Sequence, residues 1–282
     1  MSSYGEHAER VDDAIIADEV GIQVGCYGIY RLRCLYQPVF ERRARTMHAV
    51  AVEGVVAPYV AGEEVPRELF LAAVAEGDLR LVEGLELALP LRNTGCLVVD
   101  ALELVVGAAG EREPQSLFDS VRFIADQLAA AEIDPQRVVC AIGEVPSAND
   151  ATLSRLAEDI RRRGMRVAIN DFGTARWSDG QMEALAPDTV RMEGGWFRKI
   201  CRDAVTVRLF DSVVARLHER RCKVLVSGIE TELQFGVALR AGADLFQGTH
   251  LAPPAHVGAG VEDSFPMRSK LGSAANIVPL YG

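Results

Sequence analysis

No run in the 282-residue chain approaches the roughly 20 consecutive apolar residues of a membrane-crossing helix. The opening stretch, MSSYGEHAERVDDAII, is acidic and amphipathic and lacks the basic-then-apolar order of a secretion signal. A cytoplasmic protein is therefore expected. C-x-x-C pairs are missing as well. Cys26, Cys34, Cys96, Cys140, Cys201 and Cys222 are read as reduced, mostly buried small hydrophobes, which argues against a zinc site. Polar tracts are short, and no repeat or linker divides the chain, so neither a disordered half nor a repeat array is expected. Cations are the minority charge, 30 Lys and Arg against 40 Asp and Glu, giving a net charge of −10. That balance argues against broad binding of nucleic acid or anionic membrane. The one basic run, Arg161-Arg162-Arg163, reads as a helix C-terminus whose cations face the negative dipole end.

What the chain does have is 49% hydrophobic residues, enough for a large core. Apolar runs at Leu35–Phe40, Met47–Val56, Cys96–Leu102, Arg137–Ile142, Arg166–Ile169, Thr189–Met192, Lys223–Val226 and Asp244–Phe246 predict strands. Between them, helical patterns fall at Pro66–Glu76, Leu79–Leu91, Pro114–Ala131, Asn149–Arg163, Ser178–Leu185 and Ala204–Arg220. Continuous apolar strands alternating with helices predict a parallel sheet covered on both faces, and eight of them suggest a closed α/β barrel. The expected organisation is an N-terminal helical extension over 1–28, a barrel over 29–254 and a tail over 255–282. In such barrels chemistry gathers at the C-terminal strand ends. Glu53, Asp100, Glu144, Asn170, Asp171, Arg191, Glu193, Ser227, Glu230 and Gln247 are the polar residues read at those ends.

Arg166–Ala175, RVAINDFGTA, followed by LAPDTVRME, resembles the signature DDFGTG…LPxDxLKID of EAL domains, bacterial phosphodiesterases that linearise cyclic di-GMP. Tyr36-Gln37-Pro38-Val39 is similar to the opening YQPI, and Val65-Pro66…Phe70 to the segment before the first helix. Gly228-Ile229-Glu230-Thr231 is similar to the end of AEGVET, and Phe246-Gln247-Gly248 to the closing QG. The ordered motifs span about residues 30 to 254. The resemblance implies a TIM-type (α/β) barrel with one strand antiparallel to the rest, often dimerised beside the DFG loop.

It also implies a metal set of glutamate, asparagine, glutamate and aspartate, with a lysine and a further glutamate serving the attacking water. Here the EAL tripeptide reads Glu53-Gly54-Val55, and Asp100 is taken at the asparagine position. Glu144 keeps the second glutamate, and Asn170 stands for the bridging aspartate beside a retained Asp171. Arg191 stands for the lysine, Ser227 for the glutamate of AEGVET, and Ala57 for a phosphate-gripping arginine. A neutral amide at 170 weakens any bridge between two cations, and Ser227 cannot act as a carboxylate base. Arg191, a fixed cation, is expected to reach into the acid cluster at Glu144 or Asp171.

These departures imply a barrel without catalytic residues, degenerate at Asn170, Arg191 and Ser227, and not an enzyme. Vestigial ligand contacts are expected from Gln37, Glu53, Asp171, Glu230 and Gln247. No cofactor is expected beyond at most one weak Mg²⁺ or Ca²⁺ site built from Glu53, Asp100, Glu144 and Asn170. The expected role is a regulatory module that binds a protein partner or its own copy beside the DFG loop, in motility, attachment or transcription control. Trp177 is its candidate anchor. The alternative is a receptor that binds cyclic di-GMP without cleaving it; an active phosphodiesterase ranks last.

Overall fold

The computed structural model describes residues 3–97, 102–108, 114–144, 147–174, 177–260 and 262–271. A long hairpin opens the barrel: β1, Tyr30–Arg43, turns through Ala44, at φ 55°, into β2, Thr46–Val60. Six further strands follow: β3 (Glu103–Ala108), β4 (Val138–Ile142), β5 (Arg166–Phe172), β6 (Thr189–Met192), β7 (Lys223–Val226) and β8 (Leu245–Phe246). From β2 to β8 each strand pairs in parallel with the next. The ring closes where β8 meets β1, with Phe246 opposite Phe40. Since β1 is antiparallel to both β2 and β8, this is the expected eight-stranded barrel with one reversed strand. Its parallel strands have largely apolar bodies because helices cover them from outside; all five residues of β4 are buried.

Nine helices are described: α1 (Ser3–Asp13), α2 (Arg67–Ala73), α3 (Leu79–Arg92), α4 (Pro114–Ala130), α5 (Asp150–Arg162), α6 (Asp179–Leu185), α7 (Gly194–Ile200), α8 (Ala204–Glu219) and α9 (Glu232–Ala241). Local chemistry sets several boundaries. Asn149 caps α5, while Ser178 with Gln181 and Thr231 with Gln234 form capping boxes at α6 and α9. The sequence pattern misses α7, which begins Gly194-Gly195. Glu193 makes the difference by accepting the backbone N–H groups of Gly195 and Trp196 at 2.7 and 2.5 Å.

One predicted strand is displaced. Cys96–Leu102 was read as apolar strand, but Thr94–Cys96 is a 3₁₀ turn and β3 begins only at Glu103. The ends of the chain differ in kind from simple appendages. Among the described residues up to 28 only α1 is helical, and Ile15–Ala17 and Gln23–Tyr27 extend the sheet from the edge of β1. Val11 of α1 is fully buried over Gly84 of α3, where an added Cβ would lie 2.5 Å from it. Beyond the barrel, Ala255–His256 pairs with β1 and Ser264–Pro266 with β2. No described helix is long and apolar enough to cross a membrane. All six cysteines are free thiols, and burial pushes those of Cys34 and Cys140 up to about 12, which keeps them protonated and inert.

Candidate functional site

The C-terminal ends of the strands surround an open cavity of about 660 Å³. Its floor is a closed ring of three side chains. From β6, Arg191 presents both guanidinium nitrogens to the two carboxylate oxygens of Glu53 on β2, with Nη2 donating to Oε2 at 2.8 Å. The same Nη2 donates to Gln247 Oε1 at 3.1 Å, and Gln247 Nε2 donates back to Glu53 Oε2 at 2.9 Å. Arg191 and Glu53 are each about a fifth exposed, and Gln247 is buried. A bidentate pair in this setting is stronger than an open surface pair, because its hydrogen bonds are fixed and water is largely excluded. The expected reach of Arg191 toward Glu144 or Asp171 is thus corrected: barrel closure delivers Glu53 to it instead.

Around this ring stand residues with other commitments. Gln37 lines the cavity and donates to the Ala252 carbonyl at 3.2 Å. Ser227 is buried, with its hydroxyl donating to the Met192 carbonyl at 2.6 Å. Asp171 lines the cavity from a left-handed backbone, φ 55°. Asn170 turns its side-chain oxygen into a buried position without a hydrogen-bond partner, while its main-chain oxygen accepts from Trp177 Nε1 at 3.1 Å. An orphaned amide oxygen at the edge of a polar cavity is an acceptor waiting for a donor or a cation. Trp177 is half-buried, with its N–H spent on that bond.

Two of the sequence-predicted positions stand elsewhere. Glu230 is half-exposed, pairs with Arg198 at 3.1 Å and does not line the cavity. Glu144, just past β4, is half-buried and likewise off the lining. Asp100 lies outside the described residues. From β3, Val105, Val106 and Gly107 line the mouth, none of them with a polar side chain.

Sequence reasoning missed Arg67. It opens α2 at the rim of the cavity and forks onto Glu86, with contacts of 2.9 to 3.0 Å. The available signal was electrostatic, since a cation at a helix N-terminus opposes the dipole and calls for another reason to be there. Ala57, the altered phosphate position, is buried on β2 opposite Arg33.

The mouth therefore combines an acid-rich wall, Glu53, Asp171, Glu193, Glu83 and Glu86, with two arginines that those acids engage. An anionic ligand here must either bring cations or draw an arginine away from its partner. As the side chains stand, they do not form a metal cage. Among the described residues no three His, Cys, Asp or Glu side chains gather to hold an ion, and Arg191 occupies both oxygens of Glu53.

Comparison with known proteins places this arrangement. Residues 30–254 match the model of the EAL domain. A protein of Escherichia coli K12, probable cyclic di-GMP phosphodiesterase PdeD, is 30% identical over 100 residues, which is 36% of this chain and 19% of that protein. The bifunctional diguanylate cyclase/cyclic di-GMP phosphodiesterase MucR of Pseudomonas aeruginosa is 26% identical over 139 residues, 49% of this chain and 20% of that protein. The chain thus spans about a fifth of the length of these curated relatives. In fold it is similar to the Bacillus subtilis YkuI protein, solved with substrate cyclic di-GMP and calcium. The TM-score is 0.68 at 17% identity, covering 93% of this chain and 60% of that one. Both curated relatives are phosphodiesterases by name, and this overturns the reading of the chain as not an enzyme. That reading took altered residue identities as lost chemistry, which a residue count at the mouth does not establish. With the family match covering residues 30–254 of 282, this chain belongs to the EAL domain family.

Proposed function

We infer that the barrel mouth binds cyclic di-GMP and that the domain works in cyclic di-GMP signalling, with phosphodiester hydrolysis as the reaction its relatives' names bring to it. The observation that carries this reading is the mouth itself: a cavity of about 660 Å³ at the strand ends, with Arg67 and Arg191 on its wall and floor. That volume lies within the range of about 300–1,000 Å³ usual for small-molecule sites. Arginine forks suit the two phosphates of the ligand, and Gln37 and Gln247 supply amides for its polar edges. The orphaned Asn170 oxygen adds an acceptor in the same wall.

A divalent ion enters this reading as a companion of the nucleotide. Calcium accompanies cyclic di-GMP in YkuI and manganese in the BlrP1 protein of Klebsiella pneumoniae. In this chain an ion at Glu53 requires Arg191 to let go of it, and the released guanidinium is then free for a phosphate.

The test is calorimetric titration of the purified chain with cyclic di-GMP in Ca²⁺, followed by chromatography of the nucleotide after incubation in Mn²⁺. One-to-one heat with linear product supports a phosphodiesterase. Heat without product narrows the reading to a receptor, and absence of heat in both ions overturns it.

A further inference from the structure

The opposite end of the barrel contains a second, separate cavity of about 380 Å³. Its wall is the inner cluster Val39, Ala51, Val105, Ala141, Ala168 and Leu225, which is packed apart from the main core between strands and helices. Barrels of this type normally fill the interior with layers of large branched side chains. Here alanine takes that place on β2, β4 and β5, and the missing side-chain volume is the cavity. Protein interiors are close-packed, and an enclosed apolar hollow of about 150 Å³ takes up apolar molecules; this one has an apolar wall on its alanine side and charged side chains at its rim. At about 380 Å³, the hollow is also within the lower range of ligand pockets, about 300–1,000 Å³.

Both ends of this space are defined. Arg191 lines the mouth cavity and this one alike, so its side chain, held by Glu53 and Gln247, is the partition between them. At the other end lie the first residues of the parallel strands and the last of β1. Glu103 of β3 pairs with Arg166 of β5 at 2.6 Å, and Glu41 of β1 pairs with both Lys223 of β7 and Arg43, each at 3.2 Å. Glu41 is shared by two cations, so the rim holds three cations, Arg43, Arg166 and Lys223, against two carboxylates, Glu41 and Glu103, all partly exposed. An ionised head group that passed the rim would have to give up water against the apolar wall. Thr189 puts a hydroxyl in the wall, which suits one uncharged polar atom on the occupant.

We propose that this lower cavity is a binding site for a small uncharged molecule with an aliphatic or aromatic body and at most one hydroxyl, entering from the N-terminal face of the barrel. The site is distinct from the nucleotide mouth and does not rest on the proposed activity.

The test uses 1-octanol as probe, with calorimetric titration of the full chain, and Ala168→Leu and Ala141→Leu as filling variants. The expected result is saturable one-to-one binding in the parent. Each variant that melts at or above the parent temperature should weaken it at least tenfold, because the added isobutyl group occupies the space. Should one variant fail to fold, Ala51→Val provides a milder filling on a third strand. Absence of saturable binding in the parent overturns the site, and so does a folded filling variant that binds as the parent does. Tighter binding of sodium octanoate than of octanol overturns the uncharged class.

Discussion

Arg191 on β6 and Glu53 on β2 meet fork to fork 138 residues apart in sequence, with Nη2 and Oε2 at 2.8 Å, and Gln247 bonds to both. Neither side chain is more than about a fifth exposed. Removing one partner leaves the other charge partly desolvated and unpaired, which costs more than the pair contributes. Arg191→Ala should therefore destabilise the domain by about 2–3 kcal/mol. Glu53→Leu combined with Arg191→Leu should recover part of that loss, since no charge is stranded. Denaturant unfolding of the single and double variants measures the coupling, and strictly additive losses would refute it.

Gly54, in the tripeptide Glu53-Gly54-Val55, owes its identity to a neighbour. A Cβ built there would lie 2.2 Å from Cβ and 2.6 Å from Cγ of Pro90, inside α3. The Pro90 carbonyl is fixed in turn by the Tyr36 hydroxyl, which donates to it at 2.6 Å. Gly54→Ala should cost about 1–3 kcal/mol through overpacking, and Pro90→Ala in the same chain should relieve most of it. The melting temperatures of the three variants decide this.

Arg67 offers a test of the nucleotide reading that leaves the fold almost untouched. Its side chain is about half exposed and its pair with Glu86 lies on the rim, so loss of the pair should cost no more than about 1 kcal/mol of stability. If the guanidinium also serves a phosphate, Arg67→Ala should weaken cyclic di-GMP binding about tenfold, about 1.4 kcal/mol. Unchanged affinity in the calorimeter would remove Arg67 from the site.

His7 ties stability to pH. It sits on α1 against Phe123, with ring centroids 5.7 Å apart. Desolvation lowers its pKa below the ordinary 6.5, and the nearby Arg80 and Arg10 add to the effect. The folded state therefore binds this proton less readily than the unfolded chain. Stability contributed here is intact above 6.5 and declines as pH falls below it, toward the lower folded value. Between about pH 7 and 5 the parent should lose melting temperature, and His7→Leu should flatten that slope. Equal slopes in parallel thermal scans would exclude His7 as the cause.

Much of the barrel was legible because burial leaves a local trace. Val138–Ile142 and Lys223–Val226 are runs that only a doubly covered strand makes comfortable, and Asn149 and Ser178 carry their helix starts in their own side chains. The run from Cys96 failed the same test because Cys96 and Leu97 also suit a turn and its exit packed on the core, and nothing local separates the two. The start of α7 was hidden for a related reason: two glycines make a poor helix start until Glu193 accepts the N–H groups of Gly195 and Trp196.

The sequence by itself determined the order of the strands and of most helices, the capped starts of α5 and α6, and the family motifs, because each is written within a few residues. Only the tertiary structure decided which carboxylate Arg191 meets, that Arg67 stands at the rim of the mouth, and that Gly54 answers to Pro90. These depend on barrel closure, which brings β2, β6 and β8 within reach of one another. Periodicity tells a residue which way to face; the partner it finds there is set by how the ring is closed.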